Sequence, residues 1–106
     1  MMSYIGEKFF EAIRRLAIED KSIKERLYDA VVYNILGLTY NDFSKEGYDD
    51  LWDQHKKLID ELTRVDALSD EGTLRATINK MSSKEASEIA NKIVSMFNEI
   101  CERERC

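Results

Sequence analysis

The amino-acid sequence predicts an all-α protein, a compact four-to-five-helix bundle in a single domain, and three observations carry that expectation. Large apolar side chains recur at spacings of three and four from Ile5 to Ile100, the period of a helix with one buried face. Proline is absent, and proline inside a helix costs about 3 kcal/mol. Glycine occurs only at Gly6, Gly37, Gly47 and Gly72, too sparsely for the turns of an all-β chain. With 106 residues there is chain enough for one core and not for two. A composition of 43% apolar and 35% charged residues suits amphipathic helices with long charged outer faces, and not disorder.

The first helix is expected over residues 3–18, with Ser3 as N-cap and Ile5, Phe9, Ala12, Ile13 and Leu16 on one stripe. Phe10 and Ile18 lie off that stripe. The second is expected over 22–37, opened by the capping-box pattern Ser22-Ile23-Lys24-Glu25 and stopped by Gly37. Its apolar content exceeds one face: Ile23, Leu27, Ala30, Val31 and Leu38 share one side, Tyr28, Val32, Ile35 and Leu36 another. A connector follows, with a short turn around Tyr40–Phe43. The third helix is expected over 46–65, on Tyr48, Leu51, Trp52, His55, Leu58, Ile59, Leu62 and Val65. Asp66 to Gly72 reads as a loop. A short helix over 73–81 then leads, through a second capping-box pattern at Ser82 to Glu85, into a last helix over 83–103. The core is expected from the helices at 22–37, 46–65 and 83–103. The first helix would pack alongside, and the 73–81 helix would act as a connector.

Charge is unevenly spread. The net charge is −5, and residues 41–72 hold ten acidic against four basic groups while both flanking segments are near balance. An acidic middle does not suit a phosphate backbone. The turn at Met81–Ser83 imitates a helix-turn-helix, but the would-be recognition helix opens with Glu85 and Glu88, so no nucleic acid is expected. The run Ala30–Tyr33 is far short of the ~20 residues that span a bilayer, and residues 1–10 lack a signal-peptide pattern. No membrane partner is expected. Cys101 and Cys106 stand five apart on the last helix, on different faces, so a reducing cytoplasmic setting is the expectation.

Few residues suggest chemistry. Asp42, Ser44, Glu46, Gly47, Asp50 and Asp53 follow the spacing of a twelve-residue EF-hand calcium loop, but Asp49 stands at its apolar position and its last ligand is a short aspartate. The simpler reading is an acidic helix start that complements the helix dipole. His55 is the only histidine, on the stripe of its helix, with no carboxylate on the same face at Asp53. One histidine and two distal cysteines cannot build a zinc cage, and no phosphate-binding glycine loop occurs, so no cofactor is expected. Asn34 falls amid Ile23, Leu27, Val31 and Leu38, where a buried amide would fix helix register or oligomeric state. The surplus apolar residues point instead to protein recognition: Phe10, Ile18, Tyr28, Val32, Tyr33, Asn34 and Leu36 form the expected contact set. The function expected is a non-enzymatic helical interaction module that pairs with itself or another chain. An acidic inhibitor or immunity-type protein docking a basic partner through residues 41–72 is one alternative, and a degenerate calcium-binding helix pair is the other.

Overall fold

The computed structural model describes residues 2–105, apart from the side chain of Asp70. It is all-α. Six α-helices follow one another: α1 (Tyr4–Ile18), α2 (Ile23–Ala30), α3 (Tyr40–Ser44), α4 (Asp49–Leu62), α5 (Asp70–Lys80) and α6 (Ser83–Glu104). A π-helical turn, Val31–Ile35, continues α2, and no strand occurs among the described residues. The body measures 36 × 28 × 19 Å, and its thin dimension matches two layers of helices packed about 8–10 Å apart.

Hydroxyl side chains set most helix starts. Ser3, Ser22, Thr39, Ser69 and Ser82 each accept a hydrogen bond from the backbone N–H three residues on. Only the Thr39 cap closes a full capping box, with Asp42 reaching back to the Thr39 N–H at 2.9 Å. At the two boxes read from the sequence, the glutamates turn outward to other segments. Glu25 takes an ion pair from Arg75 (3.0 Å), and Glu85 takes one from Arg64 (3.3 Å).

Three boundaries differ from the sequence reading. The helix expected over 22–37 is α-helical only to Ala30. Beyond it the Leu36 N–H reaches Val31 O at 2.8 Å, the wider i→i+5 pattern. Asn34 explains the widening: its Nδ2 donates to Ala30 O (3.2 Å), the carbonyl its own backbone N–H would take in an α-turn. The helix expected over 46–65 is shorter at both ends. Gly47 holds a left-handed φ of +76°, which turns the chain before Asp49, and beyond Leu62 the Val65 N–H donates to Thr77 Oγ1 of α5 (3.0 Å). The helix expected over 73–81 begins at Asp70, because Ser69 caps it and Gly72 lies inside its first turn. The connector turn around Tyr40 is a helix in its own right, α3, which brings the count to six.

The core also differs in emphasis. Helix α1 is central: it packs between α2 with its π turn on one side and α6 on the other. Its Ile5 and Phe9 are fully buried, each contributing roughly 1.5–3 kcal/mol. Helix α5 is more than a connector, since Leu74, Thr77 and Ile78 are buried and it touches both α2 and α4. Helices α4 and α6 meet along a narrow seam and leave a groove of about 350 Å³ floored by Leu58 and Met96.

One polar knot ties distant segments together. Glu104 accepts from Ser3 N–H (3.0 Å), Ser3 Oγ–H (2.6 Å) and Tyr48 Oη–H (2.6 Å). Burial pushes the Glu104 carboxyl up, but the hydrogen bonds from Ser3 and Tyr48 outweigh it and hold the group below its ordinary range. Gly6 faces the knot closely, so that an added Cβ would lie 2.9 Å from Glu104 Oε1 and press on that carboxylate. Beside the knot, Arg103 grips Asp50 through both terminal nitrogens and also reaches Glu99 (3.4 Å).

Candidate functional site

Helix α1 has two faces of different character. Ile5, Phe9, Ala12 and Leu16 turn inward, so Phe10, Arg14 and Ile18, four apart, form a row on the outside with Glu7 and Glu11 next to it. Phe10 is 39% exposed and rests on Phe97 of α6, ring centroids 6.0 Å apart. At the other end Ile18 is 68% exposed. Tyr33, from the π turn, is 61% exposed and lies under the Arg15 guanidinium at 4.6 Å. Near the start of the helix Tyr4 is held between the ammonium groups of Lys8 and Lys45, each 5.6 Å from its ring. Arg15 is further fixed by Glu19 at 3.1 Å, whereas Glu7, Glu11 and Arg14 enter no ion pair among the described residues.

Three of the seven expected contact residues, Phe10, Ile18 and Tyr33, therefore gather on or against this face. The other four do not. Tyr28 is half-buried on the α5 side, its ring covered by Arg75 at 3.5 Å. Val32 and Leu36 are half-buried and pack against the core. Asn34 is buried and satisfied within its own helix by Ala30 O, so the structure gives it the local role of opening the π turn. Phe97, which its spacing places on the buried stripe of α6, is half-buried against the core and meets Phe10 at the edge of that stripe, a contact set by the docking of α1 on α6. The Arg15–Tyr33 stack joins residues from different elements and leaves no signal in sequence spacing.

The residues of the calcium-like loop are divided among α3, the Gly47 turn and the start of α4. Asp42 is bound to Thr39, Asp50 to Arg103, and Asp49 accepts from Tyr40 Oη at 3.4 Å. Ser44 ends α3, Glu46 lies in the turn, and Asp53 is on the exposed side of α4. Among the described residues no three His, Cys, Asp or Glu side chains are grouped so as to hold a metal ion. The acidic middle segment is partly neutralised by α6, through Arg103 on Asp50 and Lys92 on Glu61 at 2.9 Å.

His55 is packed inside the fold, 2% exposed, with its ring 5.4 Å from Trp52 in a near-parallel stack and 5.1 Å from Phe43. Its Nδ1 is sealed from solvent and has no hydrogen-bond partner among the described residues. Burial without a compensating partner pushes its pKa down to about 4, so the ring is neutral at pH 7. Its outer edge borders a cleft of about 300 Å³ between the end of the π turn and α4.

No family model matches the sequence, and no curated protein or solved structure matches it either. No helix among the described residues is long and apolar enough to cross a membrane. The functional reading therefore rests on the surface itself.

Proposed function

We propose that the chain is a non-enzymatic helical interaction module that docks protein, a second copy first, through the outer face of α1. The observation that carries this reading is the grouping of exposed apolar surface. Tyr4, Phe10 and Ile18 on α1, with Tyr33 against it, make up four of the six large exposed hydrophobic residues among those described. Exposed apolar side chains interleaved with charged ones, here Glu7, Glu11 and Arg14, are what a protein-docking face presents.

Charge supports a second copy as the occupant. Glu7 and Glu11 precede Arg14 along the face, and none of the three is paired among the described residues. In an antiparallel two-fold pairing centred between Ala12 and Ile13, Glu11 of each copy stands opposite Arg14 of the other. In the same register Ile18 covers the stem of Glu7. A register one and a half residues earlier would oppose Glu11 to Glu11. Electrostatics thus disfavours that alignment relative to the one that pairs Glu11 with Arg14. A 15-residue helix is about 22 Å long, so the buried area falls near or below the ~1,200 Å² of weak complexes, and micromolar or weaker association follows.

Sedimentation velocity from about 10 µM to about 500 µM tests the reading over the range suited to such an interface. Dimer is expected to accumulate across it. Glu11→Arg and Arg14→Glu should each abolish it, the double variant should restore it, and Phe10→Ser with Ile18→Ser should remove it while helicity is kept. A strict monomer throughout, or a dimer indifferent to these changes, overturns the reading.

A further inference from the structure

We infer that the cleft beside His55 binds a small uncharged aromatic molecule, a single ring carrying one oxygen acceptor. Three features meet there. The first is the buried His55 imidazole, a polar ring with no hydrogen bond among the described residues, where more than 90% of buried polar groups are satisfied. The second is the π turn Val31–Ile35, a rare element that recurs at functional sites and whose wider winding sets the placement of Leu36. The third is the cleft itself, about 300 Å³, at the small end of the range for ligand pockets.

The walls define the ligand class. Leu36 and Leu38 form one side, and Trp52, His55 and Ile59 on α4 form the other, so the body of the ligand is apolar. Trp52 supplies a flat ring held by Phe43 at 5.6 Å and Tyr40 at 5.9 Å, which favours an aromatic occupant. Lys56 and Asp60 border the cleft with opposite charges that offset one another, so a net charge on the ligand gains nothing. A neutral imidazole has one N–H and one lone pair. An unpaired buried lone pair is tolerated better than an orphaned N–H, which puts the lone pair on the sealed Nδ1 and the proton on Nε2. Nε2 is then the nitrogen left to meet a ligand, and it meets it as a donor. An oxygen acceptor on the ring completes the site.

The chain has one tryptophan and one histidine, so Trp52 and His55 are unambiguous reporters in a nuclear magnetic resonance titration with phenol. Saturable shifts of the Trp52 indole N–H and the His55 ring are expected, with benzene binding roughly tenfold more weakly for want of the hydrogen bond. His55→Phe keeps an aromatic ring and should erase the preference for phenol over benzene. Leu36→Phe, which fills the cleft from the opposite wall, should weaken phenol roughly tenfold or more while the folded spectrum is retained. Shifts that rise linearly without saturation, equal binding of phenol and benzene, or indifference to Leu36→Phe would each overturn the inference and leave a cleft that holds water alone.

Discussion

Acidification should destabilise this fold through one residue. His55 is neutral and sealed in the native state, with a pKa lowered to about 4 by burial, while in the unfolded chain it titrates at its ordinary value of 6.5. Between those values the unfolded state binds the proton and the native state does not, so stability falls as pH falls through that window and is fully present above it. Carrying the two values from about pH 7.5 to about pH 5 gives a loss of ~2 kcal/mol from this group alone, a sizeable share of the 5–15 kcal/mol typical of a small domain. Lys56 and Asp60 lie at the border of the neighbouring cleft, but neither is hydrogen-bonded to the imidazole, and burial is the cause of its lowered pKa. The assay is urea unfolding at a series of pH values for the natural chain and for His55→Phe. The carboxylates titrate alike in both, so the difference isolates the histidine. The natural chain should lose about 2 kcal/mol relative to the variant on going from pH 7.5 to pH 5. Parallel stability curves for the two proteins would refute the reasoning.

Further outcomes follow from contacts described above. Tyr48→Phe removes one of three donors to the Glu104 carboxylate and should cost about 1–2 kcal/mol by urea unfolding, as for a charge-assisted hydrogen bond. Gly6→Ala should stabilise a Glu104→Ala background by up to about 1 kcal/mol and the natural chain by less, because the 2.9 Å approach to Glu104 opposes the helical gain. Asn34→Ala should let the π turn close, moving the partner of the Leu36 N–H from Val31 O to Val32 O, which through-hydrogen-bond couplings report directly. Lys21→Met leaves the buried Asp29 without its 2.6 Å ion pair and should lower the urea midpoint, more so than Asp29→Asn in the same background, because a buried carboxylate is then left without its cation.

Much of the fold was legible because its causes are local. The spacing of Ile5, Phe9, Ala12 and Leu16, and that of Ala86, Ile89, Ala90, Ile93 and Ile100, names the buried faces directly, and serines mark the starts of α1, α2 and α6. What escaped depends on contacts between elements. The early end of α4 is set by Thr77 on another helix, and the centrality of α1 depends on how α2 and α6 enclose it. The π turn was hidden because a helical wheel assumes a constant pitch, while Asn34 changes that pitch from within. For the candidate surface, exposure of Phe10, Ile18 and Tyr33 followed from their departure from the main stripes. The loss of Tyr28 to Arg75, and the recruitment of Phe97, required the tertiary arrangement.

The embrace of α1 by α6 bears on how the molecule is made. A ribosome delivers the first helix some sixty-five residues before the start of the last, which at roughly 5–20 residues per second leaves Phe9 and its neighbours uncovered for several seconds. During that interval the nascent chain presents the greasy side of α1 as well as its outer one, and α2 can shield only part of it. Completion of the fold is therefore postponed until α6 has been made, when Glu104 arrives to clasp Ser3. A truncation that stops short of α6 would leave a sticky fragment for chaperones or proteases to remove, and not a smaller version of the same protein.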